Sequence, residues 1–193
     1  MPTVFILAGP NGAGKTSLYQ HEAPTVPRLN GDSLYQQGMH IHDVEAELRK
    51  QMEGWVADMA SFVIETNAAS ERDYALFETL KKAGYRLECR YVGLESVLDC
   101  LKRVAQRVAE GGHDVPAALI QHRYNSSLSL LKRNYRVFDR LQLYDNSEAQ
   151  PEELVDFVPG SPLVELQALP DWASAVVKHL IKMEAVYQRL PRK

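Results

Sequence analysis

Two cysteines, no membrane-length apolar run and no excess of either charge bound what this chain can be. Cys89 and Cys100 are the only thiols in 193 residues, and their spacing fits neither a zinc motif nor a redox pair. Both are expected to be reduced and buried, which suits a reducing compartment and a cytoplasmic protein. The apolar run Val4 to Ala8 is too short for a signal-peptide core and far too short to span a bilayer. Neither a targeting segment nor a membrane partner is expected. A net charge of −3 and an isoelectric point of about 6.1 speak against nucleic acid as the main partner, because neutralising a phosphate backbone requires a basic surface. The chain also lacks internal repeats and low-complexity tracts.

What remains is an ordinary folding composition. The chain is 45% hydrophobic and 24% charged, and one domain of this length buries roughly 70% of its unfolded surface. Short apolar runs alternate with amphipathic stretches, the pattern of βαβ units around a parallel sheet, so the expected class is α/β. The expected strands are residues 4–8, 26–29, 61–66, 85–94 and 140–146, and the expected helices 15–22, 43–59, 70–83, 95–109 and 115–134. Ser70 can cap the helix that follows it, and Gly84 supplies the left-handed residue that ends it. Past Ser147 the pattern changes to a hairpin around PGSP and a closing amphipathic helix with Asp171 near its start.

One motif carries chemistry outright. Gly9, Pro10, Asn11, Gly12, Ala13, Gly14, Lys15, Thr16 and Ser17 follow an apolar strand, precede a helix and satisfy G-x-x-x-x-G-K-[ST]. Glycines at this spacing let successive backbone N–H groups converge on phosphate oxygens, and the following helix adds its positive end. Lys15 is then placed for the β- and γ-phosphates of ATP, and the Thr16 hydroxyl for Mg²⁺.

Transfer also needs an acceptor and a group that takes its proton. Asp32 in RLNGDSL follows the second expected strand, on the rim where ligands of parallel sheets gather, which makes it a general-base candidate. Glu65, Thr66 and Asn67 end the third strand on the same rim and are candidates for binding the acceptor or a metal-bound water. Arg103 and Arg107 are four apart and share a helix face; Gly111, Gly112 and Pro116 interrupt the chain before a helix carrying Arg123. That arrangement reads as a lid whose arginines close over a transferring phosphoryl group. His40 and His42 lack a nearby third metal ligand and read as a surface loop. Position alone assigns His113 no role. Asn146 and Ser147 in LYDNS fit either an adenine pocket or a turn closed by side-chain hydrogen bonds.

Taken in order, GPNGAGKT, LNGD, FVIETN, RVAQRVAEGGHDVP, IQHRY and LYDNS resemble the zeta-toxin family of P-loop kinases, and more narrowly its short chromosomal branch. The resemblance covers about residues 1–150, with LPDW similar as well. It implies a single P-loop kinase domain, residues 1–193, with a core over 1–150 and an accessory hairpin and helix over 151–193. It further implies ATP- and Mg²⁺-dependent phosphorylation of a hydroxyl on a small-molecule acceptor, a nucleotide-sugar such as UDP-N-acetylglucosamine, and an antitoxin protein as partner. Carried over by position, Lys15 and Thr16 bind phosphate and Mg²⁺, Asp32 is the catalytic base, Glu65 and Thr66 contact acceptor, and Arg107 and Arg123 clamp phosphate. The family often reads ETT where this chain has Glu65, Thr66 and Asn67, so an amide replaces an acceptor-side hydroxyl. A second reading from a different class stays open: a nucleotide-dependent switch that moves its lid and signals to a protein partner with little transfer.

Overall fold

The protein is represented by a computed structural model that describes residues 1–22, 24–31, 34, 38–148 and 150–189, with only the backbone of 41 and 42. The described strands are β1 (Thr3–Ala8), β2 (Arg28–Leu29), β3 (Phe62–Glu65), β4 (Arg86–Gly93), β5 (Arg140–Asp145), β6 (Glu152–Phe157) and β7 (Val164–Glu165). They form one sheet in the order β2-β3-β1-β4-β5-β6-β7. The first five run parallel, and β6 and β7 extend the sheet antiparallel. The α-helices are α1 (Lys15–Glu22), α2 (Ile41–Ala57), α3 (Glu71–Lys82), α4 (Val97–Ala109), α5 (Ala117–Asn134) and α6 (Asp171–Arg189). This is the mixed α/β architecture that the alternating pattern implies.

Local causes fix several helix ends. Ser70 and Asp73 form a reciprocal capping box at the start of α3: the Ser70 hydroxyl accepts from the Asp73 N–H, and Asp73 Oδ2 accepts from the Ser70 N–H at 3.0 Å. Gly84, at φ +92°, ends the same helix in the left-handed region. Ser96 caps α4 by accepting from the Asp99 N–H at 3.3 Å. Helix α2 begins at Ile41, so the histidine-bearing stretch expected as a loop is a helix start; the His40 carbonyl accepts from the N–H groups of Asp43 and Val44.

The two faces of the sheet are covered differently. Val4, Ile6, Leu87, Cys89, Tyr91, Leu141 and Leu143 point to one side, where α3, α5 and α6 close over them and α2 packs alongside. On the other side Leu7, Val63, Val92 and Tyr144 pack with Leu18 of α1. A polar network extends that second layer: Arg90 pairs with Glu22 at the end of α1 at 2.7 Å and lies 5.3 Å from the Phe5 ring centroid, while the Tyr144 hydroxyl donates to Glu153 at 3.2 Å and Glu22 at 3.4 Å. These bonds fasten both ends of the phosphate-loop unit, since α1 is the helix that loop feeds into.

At the opposite end of the fold, Glu184 of α6 is 10% exposed and accepts from the Tyr135 hydroxyl at 2.7 Å, from the Gly160 N–H at 2.9 Å and from Arg136. It joins α6 to the β6–β7 turn and to the short 3-10 helix Tyr135–Val137. Removing its carboxylate leaves a buried hydroxyl and an amide without acceptors, so Glu184→Ala is expected to lower unfolding free energy by about 2–4 kcal/mol. A urea midpoint measured beside wild type checks this, and Glu184→Gln is expected to recover part of the loss.

Candidate active site

The phosphate loop leaves β1 and enters α1, and its backbone can be built only by glycine at three points. Gly9 lies at φ +138°, Gly12 at +81° and Gly14 at +95°, and each faces other backbone or side-chain atoms so closely that a Cβ has no room. The obstructing groups are the Val92 carbonyl for Gly9, the Cys100 carbonyl at 2.5 Å for Gly12, and the Asn146 amide for Gly14. Lys15 is 8% exposed, and its ammonium donates to the carbonyls of Gly9 at 2.7 Å and Pro10 at 3.0 Å and to Asn67 Oδ1 at 3.4 Å. The lysine therefore spans from its own loop to the end of β3.

The register of the parallel strands brings a carboxylate group into place beside the loop. Leu7 of β1 is paired with Glu65 of β3, so Glu65 emerges beside the loop, where Thr16 Oγ1 donates to it at 3.3 Å. Next to it the Thr66 hydroxyl donates to Asp73 Oδ1 at 2.9 Å and accepts from the Ala68 N–H at 3.1 Å. That hydroxyl fastens the β3–α3 loop, in which Ala68 sits at φ +47°, a conformation that costs a non-glycine residue about 1 kcal/mol.

The arginines of the expected lid fall into two places. Arg103 and Arg107 of α4 line a cavity of about 410 Å³ over Gly12, Gly14, Lys15, Thr16 and Ser17. Arg103 donates to the Asn146 carbonyl at 2.5 Å and Arg107 to the His113 carbonyl at 2.7 Å. Gly112 lets the Arg107 stem fold against the turn, for a Cβ there would meet Arg107 Cγ at 2.6 Å. Arg123 of α5 donates to Asn11 Oδ1 at 2.8 Å and lines a second cavity of about 570 Å³, together with Asn30, Gly31, Thr66, Asn67 and His113. Asn11, Lys15 and Glu65 line both cavities. Asp32 lies outside the described residues, immediately after Gly31. Among the described residues no group of three or more His, Cys, Asp or Glu could hold a metal ion.

Two contributors went unassigned in the sequence. Asn146 is 5% exposed, and its Nδ2 donates to the Ala13 carbonyl at 2.9 Å, so the residue after β5 is a strut under the phosphate loop. The neighbouring Asp145 makes the turn, accepting from the Ser147 N–H at 3.0 Å and from Trp172 Nε1 at 2.9 Å; the turn half of the LYDNS alternative is thus present, and Asn146 also lines the 410 Å³ cavity. Asn146→Ala is expected to weaken ATP binding roughly 10-fold, because a loop carbonyl loses its donor and the loop its support; nucleotide titration alongside a urea melt separates this from global loss of stability. The other contributor is Arg28 of β2, which ion-pairs with Glu65 and also reaches Thr16 Oγ1 at 3.4 Å. Near the loop, burial pushes the Cys100 thiol up to about 11, with Lys15 and Arg103 pulling the other way. It is a neutral packing group at pH 7.

No protein-family profile matches the chain, and no curated protein matches its sequence. Solved structures do match its fold. A crystal structure of AvrRxo1-ORF1:-ORF2 with ATP superposes with a TM-score of 0.65 at 17% identity, over 93% of this chain and 64% of that one. The PezAT chromosomal toxin–antitoxin system of Streptococcus pneumoniae gives a TM-score of 0.57 at 15% identity over 98% of this chain and 88% of that one. A putative kinase from Chloroflexus aurantiacus gives 0.52 at 19% identity, over 64% and 78% of the two chains. The chain thus shares the fold of these structures, and it carries a phosphate loop of its own between β1 and α1.

Proposed function

We propose that the protein transfers the γ-phosphoryl group of ATP to a hydroxyl of a small molecule. The observation that carries this reading is the pair of cavities with Asn11, Lys15 and Glu65 as their common wall. A module that only held nucleotide needs one cavity; a transferase needs donor and acceptor on two sides of the same cation.

In this reading the 410 Å³ cavity takes the triphosphate, with loop N–H groups and Ser17 around it. The Lys15 ammonium exchanges its loop carbonyls for the β- and γ-phosphate oxygens. Thr16 and Glu65 offer hard oxygens 3.3 Å apart, a donor set that suits Mg²⁺, and that ion, when bound, neutralises phosphate charge. The acceptor lies in the 570 Å³ cavity, against Glu65, Thr66 and Asn67. Asp32 takes the hydroxyl proton while the oxygen forms its bond to the γ-phosphorus. The bond from that phosphorus to the bridging oxygen breaks, and the electron pair leaves with ADP. Arg107 and Arg123 hold the phosphoryl oxygens from the two sides and exclude water.

The resemblance supplies the finer assignments: a nucleotide-sugar acceptor such as UDP-N-acetylglucosamine, an antitoxin partner and a cytoplasmic setting. No helix among the described residues is long and apolar enough to cross a membrane. Incubation with ATP, Mg²⁺ and a panel of nucleotide-sugars and hydroxylated metabolites, with product followed by mass, tests the reading. A phosphorylated product that disappears with Asp32→Asn supports it. ATP binding with no product from any acceptor favours the switch.

A further inference from the structure

The metal-facing oxygens of the site already hold a cation that belongs to the chain. Arg28 reaches them from β2: its Nη2 pairs with Glu65 Oε2 and lies 3.4 Å from Thr16 Oγ1, the hydroxyl that itself donates to Glu65 Oε1. Arg28 and Glu65 side chains are only 16% and 8% exposed, so bulk water screens both charges only in part. The guanidinium also stacks on the Tyr19 ring of α1, 4.1 Å from its centroid, and its Nε is buried with no hydrogen-bond partner among the described residues.

Resting on the kinase reading, we infer that Arg28 is a built-in counter-cation of the Mg²⁺ site. It neutralises Glu65 while nucleotide is absent and must give the carboxylate up when the metal–nucleotide complex enters. The argument is one of exclusive occupancy. Glu65 and Thr16 face one small volume, and Mg²⁺ on the Glu65 Oε1–Thr16 Oγ1 side would stand beside a guanidinium that holds Oε2 and lies 3.4 Å from the same threonine oxygen, so the two cations repel each other in a partly buried place. The buried pair is also poorly satisfied on one side, since Arg28 Nε finds no acceptor among the described residues, and an incompletely bonded buried ion pair is cheap to exchange. The stack on Tyr19 gives the released guanidinium a place to stay, because cation–π contact does not need Glu65. Arg28 is thus a positioning residue acting through Glu65, and it sets how much Mg²⁺ the site requires.

If the site is competent for metal only in the fraction of molecules in which Glu65 is released, the apparent metal affinity is lowered by that fraction. Removing the competing cation therefore has a definite sign. Titrating Mg²⁺ into protein with a fluorescent ATP analogue, Arg28→Met is expected to lower the half-saturating Mg²⁺ concentration roughly 3- to 10-fold. A second reading comes from melting. Arg28→Met is expected to reduce the melting temperature without nucleotide and to lose most of that difference at saturating Mg²⁺ and ADP, where wild type has broken the pair as well. Arg28→Lys, which keeps one ion pair without the guanidinium's reach to Thr16, is expected to fall between the two and serves if the methionine variant does not fold. An unchanged or raised Mg²⁺ requirement overturns the inference and makes Arg28 a fixed strut for Glu65, as does a melting difference that persists in the Mg²⁺–ADP complex. Failure of wild type to bind the analogue at any Mg²⁺ concentration overturns the kinase reading and this inference with it.

Discussion

Lys15→Met is expected to reduce phosphoryl transfer by about 10³-fold and ATP affinity by about 10-fold, with a smaller loss of fold stability of about 1–3 kcal/mol. The asymmetry follows from where the ammonium stands. It is held by the carbonyls of the buried Gly9 and Pro10 and by Asn67 Oδ1, which borders the acceptor-side cavity, so its removal takes a donor from buried carbonyls at a cost of about 1–3 kcal/mol. Methionine keeps the apolar stem, so the packing of the 8% exposed side chain survives. What is lost is the charge that meets the bridging and terminal phosphate oxygens as negative charge moves toward ADP, and such a charge is worth most in the transition state. Nucleotide titration, a thermal melt and product formation measured on one preparation check all three parts. Equal losses in binding and transfer would instead mean that Lys15 holds ground-state ATP only.

The same lysine shows how much of the site could be read from the chain. The loop was legible because its requirement is local: three glycines at positive φ and a lysine at fixed spacing, between a strand and a helix. The α3 cap was legible for the same reason, since Ser70 and Asp73 are three residues apart. Strand β2 is shorter than the run 26–29, because Pro27 has no N–H to give and contributes only its carbonyl, to the N–H of Val63 at 2.8 Å. The contacts that were illegible all depend on strand order. Arg28 meets Glu65 across 37 positions of sequence and Asn146 meets Ala13 across 133, and both encounters exist because β3 and β4 flank β1, with β2 and β5 outside them. No spacing rule carries that information. The arginines were half legible: their shared helix face placed Arg103 and Arg107 together, whereas assignment of Arg123 to the acceptor-side cavity required the path of α5.

Asp32→Asn is expected to separate the two functional readings most sharply. If Asp32 removes the acceptor proton, the amide variant loses about 10²–10⁴-fold in turnover, the usual worth of a positioned general base. ATP affinity should change less than about 2-fold, because the residue follows β2 and its described neighbours Asn30 and Gly31 line the acceptor-side cavity and are absent from the nucleotide-side one. Asparagine preserves size and hydrogen-bonding capacity, so a large effect reports the carboxylate itself. A nucleotide switch predicts the reverse: lid closure needs Lys15 and the arginines that meet phosphate, and has no use for a base beside an acceptor. Single-turnover transfer measured beside equilibrium ATP binding decides between them. Loss of transfer with intact binding places a base at the hydroxyl; activity retained within about 3-fold removes Asp32 from the chemistry and leaves Glu65, at the wall between the cavities, as the carboxylate to test next.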